Sequence, residues 1–201
     1  MIINHAYAIN LKLRPDRLAH ITSECDRHNL RLHRIEAVNG REIYPDEPKK
    51  RPGIFGCYNS HLKLLKILQG VRGDYFLIVE DDCVFEDDFR YKLLEYYQQL
   101  PPTWDMLYLG GNTDSEGATE DFSYNLCRAR NVYCTHAYII KKESIQGLIE
   151  VVESRMWKID VLYCEYQKSH SCFITEPKLA WQKEGFSDVE NRRTDNQHLK
   201  K

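Results

Sequence analysis

Glu80, Asp81 and Asp82 follow directly on the apolar run Tyr75-Phe76-Leu77-Ile78-Val79. Three adjacent carboxylates repel one another, which is tolerable only where water, a cation or a basic neighbour compensates. Hard oxygen ligands of this kind suit a divalent cation that itself carries phosphates. Two residues apart, Glu80 and Asp82 share one face of an extended chain while Asp81 points away. The arrangement is what a metal-bound sugar nucleotide requires. It also fits an acidic turn that starts the next helix, and position alone leaves both alternatives open. For Glu86, Asp87 and Asp88 the plainer account is adopted, acids at the positive N-terminal end of a helix.

The acids take their meaning from the elements that present them. Residues 75–79 are β-branched and aromatic and bounded by Gly73-Asp74, which predicts a strand buried on both faces. The trio then falls at its carboxyl end, the edge at which open α/β sheets bind ligands. Residues 6–11 predict a first strand, and 14–28 a helix with Pro15 near its first turn and Leu18, Ile21 and Cys25 as one buried stripe. Residues 30–38 predict a second strand, closed by Asn39-Gly40. A strand, helix, strand opening is typical of α/β folds. Residues 41–53, with three prolines and many charges, predict a loop, and 54–69 a helix ending at Gly70. Further on, the pattern predicts a helix over 89–100 stopped by Pro101-Pro102, a strand over 105–109 running into Gly110-Gly111-Asn112, and a mobile polar loop over 112–121. A strand over 131–140, helices over 143–154 and 159–167 and a late strand over 172–175 complete the series. Residues 1–184 read as one domain, and 185–201 as a polar tail, either disordered or folded over a ligand.

At 201 residues the chain is long enough to bury a core without disulfide staples. Its net charge of -2 argues against a nucleic-acid-binding surface. The one compact basic run, Lys49-Lys50-Arg51 between Pro48 and Pro52, reads as a solvated loop. Seven cysteines, an odd number with no CxxC pair, point away from a zinc knuckle or a disulfide framework and toward a reducing compartment. The N-terminal stretch carries His5 and Asn10 among its apolar residues and resembles neither a signal peptide nor an anchor. No stretch approaches the ~20 apolar residues that span a bilayer. The expectation is a cytoplasmic protein without a transmembrane segment; a membrane-associated acceptor stays open, and oligomeric state is not indicated.

Several pieces along the chain then form an ordered set: Ile9-Asn10-Leu11-Lys12 with Arg14, Asp16 and Arg17; Ala37-Val38-Asn39-Gly40; Gly56-Cys57-Tyr58-Asn59-Ser60-His61; Glu80-Asp81-Asp82; Thr135-His136-Ala137-Tyr138-Ile139-Ile140; Asp160; and Pro177-Lys178-Leu179 with Gln182, Ser187 and Asp188. An isolated acidic triplet is weak evidence, but GCxxSH followed a helix and a strand later by EDD is specific. The set resembles glycosyltransferase family 25, which includes bacterial lipooligosaccharide galactosyltransferases and collagen galactosyltransferase domains.

The resemblance implies an α/β fold of GT-A type, Rossmann-like and nucleotide-sugar-binding, with a central mixed sheet flanked by helices. It implies a UDP-sugar donor of galactose or glucose and transfer with inversion at the anomeric carbon. A divalent cation is implied too, Mn2+ by family expectation, although carboxylates alone equally admit Mg2+. By the same resemblance Asn10, Leu11 and Arg17 meet the nucleoside, and Asn39, Ser60, His61, Glu80, Asp81, Gln182 and Ser187 complete the donor site. Asp82 is the first metal ligand, with Glu80 and Asp188 beside it, and Asp160 is the base that takes the acceptor proton. Each has an ordinary alternative: a strand end for Asn10, a packed core for His61, a helix cap for Asp160. Trp157 and Trp181 either stack on a sugar face or belong to the core. The acceptor implied is a glycan, a lipid-linked glycan or a collagen-like polypeptide. Two other functions share the pattern, a non-catalytic nucleotide-sugar or glycan-binding module and a metal-dependent nucleotidyl transferase or phosphohydrolase.

Overall fold

The computed structural model describes residues 3–45 and 51–195. Strand β1 (His5–Asn10), helix α1 (Pro15–Arg27) and strand β2 (Arg31–Glu36) form the expected opening unit, with β1 and β2 parallel. Pro15 lies in the first turn of α1, where its missing N–H costs nothing, and Ile21 and Cys25 form the buried stripe. On the other side of β1 runs β3 (Tyr75–Glu80), again parallel, with Ile9 opposite Glu80. Phe76 to Val79 are all buried, as a strand covered on both faces requires.

Beyond β3 the sheet turns mixed. The antiparallel strand β8 (Ala137–Lys141) lies between β3 and β5 (Met106–Tyr108), and β9 (Cys172–Thr175) runs parallel to β5. The antiparallel pair β6 (Thr119–Ser123) and β7 (Leu126–Ala129) completes eight strands in the order β2-β1-β3-β8-β5-β9-β7-β6. Helices cover both faces, so the α/β class with a central mixed sheet flanked by helices is as expected. On one face α3 (Pro52–Gly70), α5 (Ile145–Glu153) and α6 (Ile159–Gln167) pack over Ile78, Tyr108 and Tyr138. On the other, α1 and α4 (Phe89–Tyr97) cover Leu77, Val79 and Ile139. Leu64, Leu65 and Leu68 of α3 are wholly buried, each contributing roughly 2 kcal/mol by leaving water.

Four segments differ from expectation. Within the expected 41–53 loop, Gly40–Ile43 makes a short helix α2 and Pro52 already opens α3. Residues 119–123 of the expected mobile loop form β6, an edge strand whose polar side chains face solvent and so show no apolar alternation. The strand expected over 131–140 begins only at Ala137, because Cys134 takes a φ of 72°, outside the extended region. Residues 185–194 of the expected tail form a hairpin, β11 (Gly185–Ser187) with β12 (Arg192–Thr194), turned by Asn191 at φ 57°; residues 196–201 lie outside the described residues. Strand β4 (Cys83–Phe85) pairs with β10 (Ala180–Gln182) and brings the chain back past the acids. Among the described residues no helix is long and apolar enough to cross a membrane.

Candidate functional site

Parallel pairing of β1 and β3 puts Asn10 and Asp81 side by side at the carboxyl edge of the sheet. Asn10 is buried and fully used: Nδ2 donates to Asp81 Oδ2 at 2.8 Å and to the Arg14 carbonyl at 3.1 Å, while Oδ1 accepts from Arg34 Nε at 3.0 Å. Arg17, one helical turn into α1, reaches the same acids. One terminal nitrogen lies 2.8 Å from Asp81 Oδ1 and 3.3 Å from Asp82 Oδ2, and the other donates to the Phe186 carbonyl at 2.7 Å. Burial pushes the Asp81 carboxyl up, against the pull of Arg17 and Asn10. Asp81 therefore points toward β1 and α1, and its role is to be held there.

Glu80 faces the opposite way, toward α3 and the start of β8. Its Oε1 accepts from the Thr135 hydroxyl at 2.7 Å and lies 3.5 Å from His61 Nε2. Burial alone would raise this carboxyl, but His61, then Thr135 and His136, outweigh it and hold it at about 2. Behind it, His61 Nδ1 lies 3.4 Å from the Tyr138 hydroxyl, itself 2.8 Å from that of Tyr163. Glu80 is thus a fixed carboxylate backed by a buried polar chain.

Asp82, next along the chain, is less fully engaged. Its Oδ1 is buried and has no hydrogen-bond partner. Burial first, then the Glu80 charge, pushes its carboxyl up to about 7, against Arg17 and Gln182. A buried acceptor without a donor costs about 1–3 kcal/mol, and a cation placed there would remove that cost. Among the described residues no group of three or more His, Cys, Asp or Glu side chains is gathered to hold a metal by itself. The donor set fits a cation that takes one or two carboxylates from the protein and the rest from phosphates and water.

Asp160 stands in the first turn of α6. It accepts from the Val161 amide at 2.9 Å and from the Cys134 amide. Burial, with the Glu80 charge adding to it, raises its carboxyl above the usual range. Cys134, the residue at φ 72° that interrupts the expected strand, is the one whose amide Asp160 accepts from. Asp160, Glu80 and Asp82 share one neighbourhood: burial first, and then the charges of Glu80, Asp160 and Asp82, push up the Cys57 thiol of α3.

Residues 3–163 match the model of glycosyltransferase family 25 (LPS biosynthesis protein). The chain belongs to that family. It is 26% identical to procollagen galactosyltransferase 2 of Homo sapiens over 174 residues, 74% of this chain and 28% of that protein. Putative glycosyltransferase R655 of Acanthamoeba polyphaga mimivirus is 24% identical over 213 residues, 94% of this chain and 66% of the other. The chain therefore spans about 28% of the length of the first curated relatives it matches. Among solved structures, the glycosyltransferase GlyE in Streptococcus pneumoniae TIGR4 superposes with a TM-score of 0.48 at 12% identity, over 85% of this chain and 45% of that one.

Within this family 25 chain the other expected site residues divide. Gln182, on β10, lies against Asp82, and Leu11 sits half-exposed at the end of β1. Ser60, expected at the donor, is 1% exposed and used inside: its hydroxyl accepts from the Val38 amide at 2.8 Å and donates to the Gly56 carbonyl at 2.6 Å. A Cβ on Gly56 would stand 2.6 Å from the Val38 carbonyl oxygen, so the glycine and serine of GCxxSH dock α3 against the loop after β2. Asn39, also expected at the donor, caps α2 through the Arg41 amide and donates to Glu42. His61 faces Glu80 and the core, where it orients a carboxylate. Ser187 accepts from the Glu190 amide within the hairpin. Asp188, expected beside the metal, is ion-paired with Arg14 at the start of α1, and its carbonyl accepts from Arg41 of α2. Sequence reasoning gave no role to Thr135 and Arg14, although both stood inside quoted motifs.

Proposed function

We propose that this glycosyltransferase is metal-dependent and inverting, and that it transfers galactose or glucose from a UDP-sugar to a hydroxyl of a glycan or collagen-like acceptor. The unpartnered, buried Oδ1 of Asp82, beside Glu80 and at the carboxyl edge of the parallel strands, carries this reading. Asp82 and Glu80 would hold the cation, Mn2+ by preference. When bound, such an ion neutralises the charge that develops on the departing diphosphate, a Lewis-acid contribution of several kcal/mol.

The chain's own residues supply the rest. Asn10 and Arg17 fix Asp81, and with it the turn that presents Asp82, so the metal-facing oxygen does not have to be ordered when donor arrives. Thr135 and His61 keep Glu80 ionised. The Asp160 carboxylate, pinned by two backbone amides in a half-buried setting, is available to take the acceptor hydroxyl proton as that oxygen attacks the anomeric carbon. Its raised pKa suits this role, because a base that binds the proton more firmly accepts it more readily.

Thermal unfolding with UDP and Mn2+ tests the reading. Binding to the native state should raise the Tm of the wild type, and Asp82→Ala should abolish the rise. An unchanged wild-type curve would count against any nucleotide-sugar site here. UDP release from a panel of UDP-sugars, with and without candidate acceptors, would then separate a transferase from a binding module and identify the sugar.

A further inference from the structure

A second cleft, of about 360 Å³, lies between the end of α2, the start of α3 and the turn of the β11–β12 hairpin. Arg41 and Arg51 stand on its wall with Tyr44. Arg41 donates only to neutral acceptors, the Asp188 carbonyl at 3.2 Å and Asn191 Oδ1 at 3.0 Å. The Arg51 guanidinium lies over the Trp157 ring, 5.1 Å from its centroid. Among the described residues neither arginine has a carboxylate within 4.0 Å; Asp188 pairs with Arg14, Glu190 with Arg192, and Glu42 accepts from Asn39. Arg51 also takes a φ of 49°, a left-handed conformation that non-glycine residues rarely adopt and that gathers at ligand clamps. It is the last residue of the Lys49-Lys50-Arg51 run; the two lysines lie outside the described residues.

The cleft adjoins the catalytic face. Trp157, 39% exposed, precedes Asp160 by three residues on the loop into α6. Gly53, on the cleft wall, is one helical turn, about 6 Å, from Cys57, which lies among the charges of Glu80, Asp160 and Asp82. Two guanidinium groups without counter-charge among the described residues, in a concavity with an exposed aromatic ring at its rim, match a planar or tetrahedral oxyanion attached to a sugar. A neutral glycan would leave both guanidinium groups unmatched.

Resting on the reading of Asp160 as the acceptor-side base, we propose that this cleft receives an anionic substituent of the acceptor glycan, a carboxylate or a phosphate. Arg41 and Arg51 grip the anion, and the adjoining sugar ring stacks on Trp157.

The test is ligand-observed NMR with methyl glucoside, glucuronate and glucose 6-phosphate as probes, with and without saturating UDP and Mn2+. At least one charged sugar should bind about ten-fold or more tightly than methyl glucoside. A preference confined to glucuronate identifies a carboxylate, one confined to glucose 6-phosphate a phosphate. Arg41→Gln and Arg51→Gln should each weaken the preference about five-fold or more, and Arg51→Lys should keep part of it, with circular dichroism confirming that each variant folds. Trp157→Ala should weaken charged and neutral sugars alike. Equal affinity for the three probes, or a preference that survives in the Arg41→Gln/Arg51→Gln double variant, overturns the proposal. Because the UDP response is measured separately, loss of that response with the sugar preference intact would remove the donor reading and leave this cleft standing.

Discussion

The acid cluster at the sheet edge and the cleft beside α2 are built on opposite terms. On the proposed donor side, Asn10, itself held by Arg34, and Arg17 engage Asp81, Thr135 and His61 engage Glu80, and Asp82 Oδ1 is left buried without a partner. On the proposed acceptor side, Trp157 stands exposed, and Arg41 and Arg51 lack carboxylate partners among the described residues. A site that must hold a diphosphate in one pose gains from preorganisation, since little has to be ordered on binding. A site that selects an acceptor keeps its charges uncommitted, because discrimination comes from whichever ligand satisfies them. On the proposed reading, donor chemistry is fixed in the sheet edge, and acceptor choice in the loops hung around it.

The largest effect should come from Asp160→Asn. If Asp160 belongs to the acceptor side alone, kcat falls about 10²- to 10⁴-fold while the Tm increase with UDP and Mn2+ stays intact; loss of that increase would merge the two sides into one. Next, Arg17→Met strips Asp81 and Asp82 of their shared cation. Breaking a buried pair on one side costs about 3–5 kcal/mol, so urea unfolding should show a large loss, and a variant as stable as wild type would mean that the donor network is not the rigid half.

A smaller effect, of opposite sign, is expected for Asp82→Asn in metal-free protein. The Asp82 carboxyl is pushed from 3.8 up to about 7 in the folded state. The unfolded chain therefore releases this proton first, and the folded state loses stability as pH rises from about 4 through 7. Asp82→Asn should melt a few degrees above wild type at pH 8, by about 3–5 °C, and the gap should close by pH 4; a gap that widened on acidification would contradict the assignment. The smallest change is Ser60→Ala, which should cost about 1 kcal/mol in unfolding experiments and leave UDP affinity untouched, separating a residue that docks α3 from the residues that meet donor.

The main elements were legible from pattern alone where the pattern was strong. The β3 strand and the buried stripe of α1 follow from apolar pattern and a flanking glycine or proline, which act over a few residues; the span 159–167 of α6 has no such flank and rests on a weaker signal. The hairpin over 185–194 and the edge strand β6 were not legible, because their polar side chains face water and their pairing partners supply the order. At the site, types and spacing singled out Glu80 and Asp82, and the family resemblance added Asp160. The resemblance also gave donor or metal roles to Ser60, Asn39 and Asp188, whose side chains are engaged by Val38, Arg41 and Arg14.

The sequence by itself determined that three acids close a buried strand and that the chain carries the ordered motifs of its family; both are properties of neighbours along the chain. Only the tertiary structure decided which acid keeps an oxygen without a partner. Asn10 lies 71 residues from Asp81, Arg17 64 from it, and Thr135 55 from Glu80. The pull that each carboxylate feels depends on contacts across those intervals, which local period and propensity do not encode.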